Sequence, residues 1–117
     1  MATIRAYTTI EQSRKLAKIL PLESADMYWY LATKGNPIAM FNERYNEYGD
    51  FELPCWSLAA LLGVLPEYNL QRINWGNKTE YRIFVTINDD NYGSKNYDNP
   101  VDACVAMIIK LHELNLL

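Results

Sequence analysis

Groups that do chemistry are scarce in this chain: its 117 residues hold one histidine, His112, and two cysteines, Cys55 and Cys104. No zinc-type Cys/His spacing, no Ser-His-Asp set and no glycine-rich phosphate loop is present, so no metal ion or cofactor is expected. The two cysteines stand far apart, each inside an apolar helical pattern, which argues for reduced thiols in a cytoplasmic protein rather than a disulfide framework. Long apolar runs are missing too. The longest, Leu53–Pro66, falls short of the roughly 20 residues that span a membrane, and Met1–Gln12 lacks the pattern of a secretory signal. Nor is there an excess of positive charge. The net charge of −3 argues against a general nucleic-acid binder. Residues 1–42 carry five Lys/Arg against three Asp/Glu, a net +2, and residues 43–117 carry six against eleven, a net −5.

What the chain does have is a core. Half of it is apolar, with nine tyrosines and three tryptophans, and its length suits one domain. The stretch Cys55–Leu65 contains no charge and predicts a buried central helix, with Pro54 in its first turn and Pro66 ending it. A first helix is expected over Thr9–Leu20. Thr8 with Glu11, or Thr9 with Gln12, has capping-box spacing, and Pro21 stops the helix. The last helix opens at Asn99-Pro100 with Asp102 in its first turn. Val101, Cys104, Val105, Ile108, Leu111 and Leu114 then recur at helical spacing.

Two hairpins lie between the helices. Met27–Thr33 pairs with Ile38–Phe41, followed by a polar connection over 42–53. Leu70–Trp75 pairs with Thr79–Asn88 through Gly76-Asn77-Lys78, and Asn88–Asn99 reads as turn-rich. The expected fold is α+β, a single domain in the order α-β-β-α-β-β-α, with an antiparallel sheet packed on the central helix and two amphipathic ones. Leu16/Leu61, Ile19/Val64, Leu20/Leu65 and Pro21/Pro66 correspond at a constant offset. That repeat reflects either a degenerate αββ duplication or the shared chemistry of ending a helix.

The candidate chemical residues each carry two readings. Cys55 at a helix start could be an activated thiolate, with His112 as its base; otherwise it is a small buried apolar residue. His112 on its own suits a helix C-terminus. Asn88–Gly93 imitates the start of a calcium loop, but Asn99 stands where the bidentate glutamate belongs. Arg14, Lys15 and Lys18 could meet phosphate, though Glu11 one turn away makes them an ordinary charged face.

The remaining candidate is a surface. If Met27, Trp29 and Leu31 face the core, Tyr28 and Tyr30 share the opposite face with Arg72, Arg82 and Phe84. Tyr, Phe and Arg anchor protein interfaces, because they bury much area and Tyr and Arg still hydrogen-bond. The competing reading covers this face with Tyr45, Tyr48 and Phe51 of the 42–53 connection. Three stretches, Ser13–Asp26, Pro54–Pro66 and Asn99–Leu114, with Cys-Trp-Ser-Leu and Asp-Ala-Cys-Val as the specific cores of the last two, resemble a family of small uncharacterised proteins from gut Bacteroides genomes and their phage-like mobile elements. The resemblance carries over no functional residue. It implies a bacterial cytoplasmic protein of phage or integrated-element origin. The expectation is therefore a non-enzymatic module that binds a protein partner, or itself, through the aromatic/Arg face, without membrane association. A Cys55-dependent enzyme or redox protein is the alternative, and nucleic-acid association through the first helix a weaker one.

Overall fold

In the computed structural model, which describes residues 5–31, 38–41 and 51–117, the chain first forms a short helix, α1 (Ile10–Leu16). Thr9 caps it as its spacing predicts. The Thr9 hydroxyl accepts from the Gln12 N–H at 3.1 Å, and the Gln12 carboxamide oxygen accepts from the Thr9 N–H at 2.9 Å. The helix ends earlier than expected. Past Leu16 the backbone tightens, with Ile19 N–H donating to the Leu16 carbonyl at 2.9 Å, so Pro21 follows a turn rather than a helix. Leu16 and Leu20 are nonetheless both buried.

The first sheet contains β1 (Met27–Leu31), β2 (Ile38–Phe41) and β3 (Phe51–Cys55), antiparallel in the order β2-β1-β3. The expected connection over 42–53 thus ends in a strand, and Pro54 belongs to that strand and not to a helix. An edge position makes this possible, because a proline there costs no ladder hydrogen bond on the open side.

Ser57 then caps α2 (Leu58–Val64), accepting from the Ala60 N–H at 3.1 Å. The uncharged stretch is less buried than its composition suggests. Within α2 only Leu61 is fully enclosed, while Ala59 and Gly63 face water. Small residues can leave one side of an apolar helix exposed at little hydrophobic cost.

The second sheet is a meander of β4 (Tyr68–Trp75), β5 (Lys78–Ile87) and β6 (Asp90–Gly93). Gly76, first of the two loop residues joining β4 to β5, has φ 59°, the sign a type II′ turn needs there. Asn88 and Asp89 both have positive φ, 51° and 67°, the pattern of a type I′ turn into β6. The segment expected to be only turns therefore holds a strand, and the resemblance to a calcium loop is a hairpin turn.

α3 (Pro100–Glu113) begins as expected. The Asn99 side chain accepts from the Val101 N–H at 2.8 Å, with Pro100 in the first turn. This helix, not α2, is the centre of the core: Val101, Cys104, Met107, Ile108 and Leu111 are fully buried. They pack with Leu16, Trp56, Leu61, Ile83 and Val85. Leu114, expected to face inward, is the C-cap and is 49% exposed. Arg5 ties the start of the described chain to α3 through an ion pair with Asp102, which also accepts from the Gln12 carboxamide at 2.8 Å.

The result is a single α+β domain whose helices and hairpins follow the expected order, each hairpin gaining a further strand and the one expected sheet becoming two. The strand order does not repeat. β1 is central in the first sheet, whereas β5, second of its three, is central in the other. That difference favours shared helix-ending chemistry over duplication as the source of the sequence offset.

Candidate interaction surface

β5 alternates as its sequence predicts. Ile83 and Val85 are buried, and Arg82 and Phe84 point to the other side, only partly covered. The register with β4 sets Gln71 opposite Arg82 and Asn69 opposite Phe84. Arg82 Nε donates to Gln71 Oε1 at 2.8 Å, and the guanidinium carbon sits 5.2 Å from the Phe84 ring centroid. On the other flank, Gly93 of β6 lies opposite Phe84. A Cβ at that glycine would fall 2.8 Å from Phe84 Cε1, so the ring occupies the space a side chain would take. Ile73 and Trp75 share this face, being paired with Glu80 and Lys78, and Trp75 is 59% exposed. Toward β6 the face dips into a groove of about 520 Å³ whose lining includes Glu67, Asn69, Gln71, Phe84, Thr86 and Asn91.

Of the five residues singled out from the sequence, the structure brings two together here, Arg82 and Phe84. Arg72 is opposite Tyr81 and so lies on the other side of the sheet. A three-residue Gly76-Asn77-Lys78 loop would have set Arg72 against Arg82; the real loop has two residues, and a one-residue change of register reverses the face. Tyr28 and Tyr30 belong to the other sheet and are 6% and 5% exposed, so they form no open surface with Arg82. The opposite face of β1 is engaged as expected: Met27 is buried, and Trp29 Nε1 donates to the Thr8 carbonyl at 3.0 Å. Of the covering segment, residues 42–50 with Tyr45 and Tyr48 lie outside the described residues. Gln71, Ile73 and Trp75 were not singled out, though their alternation along β4 carries the signal once the loop length is known.

Cys55 does not begin a helix. It ends β3, two residues before the α2 cap, and is wholly enclosed. The Thr8 hydroxyl donates to its sulfur at 3.5 Å, and the thiol faces the Thr8 carbonyl at 3.6 Å. Burial pushes the Cys55 thiol up, with the carboxylate of Asp26 adding to the effect against the hydrogen bonds of Thr8 and Ser13. Burial alone pushes Cys104 up to about 12. Both shifts favour the protonated thiol over the thiolate, and His112 stands exposed in the last turn of α3. In the native protein both should react with iodoacetamide roughly a hundredfold more slowly than a free thiol at pH 8, and become labelled on unfolding. Rapid native alkylation of Cys55 near pH 6 would instead support the Cys55-dependent alternative.

Arg14, Lys15 and Lys18 are exposed on α1 or the turn after it, and Lys15 pairs with Glu11 at 3.7 Å, an ordinary solvated arrangement. Among the described residues no group of three His, Cys, Asp or Glu could hold a metal ion, and no helix is long and apolar enough to cross a membrane. No protein-family model matches the chain, and no curated protein or solved structure matches it. Its own geometry must therefore carry the functional reading.

Proposed function

We propose that this chain is a non-enzymatic interaction module that binds a protein partner through the outer face of β4–β5–β6. The observation that carries the reading is the Arg82–Phe84 pair. Gln71 holds the guanidinium and Gly93 makes room for the ring, so both side chains are fixed before a partner arrives. Side chains already ordered lose less entropy on binding, and Arg and aromatic residues dominate interface energetics. Ile73 and Trp75 extend the apolar area beside them. The resemblance of the helical stretches to the Bacteroides family supports placing such a module in the bacterial cytoplasm, within a mobile element.

The test is capture of host proteins on the immobilised chain, compared with an Arg82→Ala/Phe84→Ser variant. Both side chains are partly exposed on a sheet surface, so the variant should stay folded by circular dichroism. A protein retained by the wild type and released at least tenfold more readily by the variant supports the reading. Equal retention by both, or none by either, overturns it.

A further inference from the structure

Among the described strands β4 is one edge of its sheet, and its backbone phase is fixed. The Thr86 N–H donates to the Glu67 carbonyl at 2.9 Å, so Asn69, Gln71, Ile73 and Trp75, in step with Glu67, turn their backbone groups toward β5. Tyr68, Leu70, Arg72 and Asn74 turn theirs outward. Among the described residues those outward groups have no backbone partner. Exposed edges of this kind are usually blunted by proline, lysine, a bulge or short length. The other described edges follow that rule: β2 and β6 have four residues each, and β3 contains Pro54. β4 does not. It runs eight residues, Tyr-Asn-Leu-Gln-Arg-Ile-Asn-Trp, without proline, lysine or a break in register, and Arg72 is its sole charge. Two of the chain's exposed large apolar residues, Tyr68 and Trp75, stand at its ends.

We propose that β4 pairs antiparallel with β4 of a second copy of this chain, about a two-fold axis at Gln71, joining two three-stranded sheets into one of six. The strand's own sequence suits pairing with a copy of itself in one register. Outward residues must meet outward residues, which restricts the axis to a few positions. Centred on Arg72, the pair would set two arginines face to face. Centred on Leu70, it would set Asn74 against Pro66, which has no N–H to give. Centred on Gln71, Leu70 meets Arg72 and Tyr68 meets Asn74, each pair exchanging two backbone hydrogen bonds. Asn69 then lies against Ile73, and Glu67 against Trp75. This inference uses the edge of the sheet and does not depend on the outer-face reading.

Gln71 turns its backbone inward, so it would face its own copy in a non-hydrogen-bonded pair with Cα atoms about 4.5 Å apart, within disulfide range. Both native cysteines are buried, which keeps the background low. A Gln71→Cys variant should give a covalent dimer under mild oxidation. Asn69→Cys and Ile73→Cys should each stay monomeric in covalent terms, but crosslink to one another when mixed. In light scattering the wild type should be a dimer. Arg72→Pro, which removes an outward N–H on each copy and no bond to β5, should weaken it about ten- to a hundredfold, while Arg72→Ala leaves it in place. A strictly monomeric wild type overturns the proposal. So does a dimer that ignores Arg72→Pro, or crosslinking of Asn69→Cys to itself as readily as Gln71→Cys. Loss of partner capture by Arg82→Ala/Phe84→Ser with the Gln71→Cys crosslink intact would leave the two readings separately decided.

Discussion

Replacing Trp56 by alanine should lower stability by about 3–5 kcal/mol, a large share of the roughly 5–15 kcal/mol that holds a domain of this kind folded. The side chain is fully buried between β3 and α2, within the cluster formed by α3, α2 and β5. Its indole N–H also donates to Ser24 Oγ at 2.9 Å, fastening the short turn that precedes β1. Alanine would leave a cavity where an indole sat, and rigid strands and helices on every side limit collapse into it. In a thermal melt the midpoint should fall by about 12–20 °C, at roughly 4 °C per kcal/mol for this size. Phenylalanine, which keeps most of the volume, should lose less than half as much. A loss below about 1 kcal/mol for the alanine variant would show that the core is not built around this residue.

Thr8→Val should cost about 2–4 kcal/mol although it changes the shape of the side chain hardly at all. The Thr8 hydroxyl accepts from the Trp56 N–H at 3.1 Å, shares a hydrogen bond with Ser13 Oγ at 2.7 Å, and donates to Cys55. Thr8 and Ser13 are both fully buried, so valine would strand a backbone donor and a hydroxyl away from water. Each such orphan costs about 1–3 kcal/mol. Thr8→Ser keeps the hydroxyl and removes only a methyl, so it should lose about 1 kcal/mol. Equal effects of valine and serine in urea denaturation would mean that packing, not the hydrogen bonds, explains the site.

The same group of residues explains why Cys55 does not begin a helix. From sequence, Cys55 precedes an uncharged run and looks like the first residue of a helix. In the structure the run begins with the end of a strand, and Asp26, Thr8 and Ser13 converge there from elsewhere in the chain. Asp26 accepts from the Ser57 N–H at 2.9 Å and from its hydroxyl, helping to set the α2 cap two residues beyond Cys55. None of these partners is adjacent in sequence to the cysteine they surround. The interaction surface was legible by half. The alternation of β5 exposed Arg82 and Phe84, but choosing their neighbours on β4 needed the length of one turn, and the tyrosines of β1 needed the separation into two sheets.

Short stretches of the chain encode what local interactions can settle. Thr9 with Gln12 and Asn99 with Pro100 start helices because a side chain meets an amide two or three residues away. Apolar spacing marks α3, and alternation marks β5, because each reports the period of its own element. Tertiary structure alone decided which helix is central, that Phe51–Cys55 and Asp90–Gly93 are strands, which side of the sheet Arg72 takes, and that Cys55, Tyr28 and Tyr30 are enclosed. Each of those outcomes depends on contacts between residues far apart in the chain, and local spacing carries no record of them.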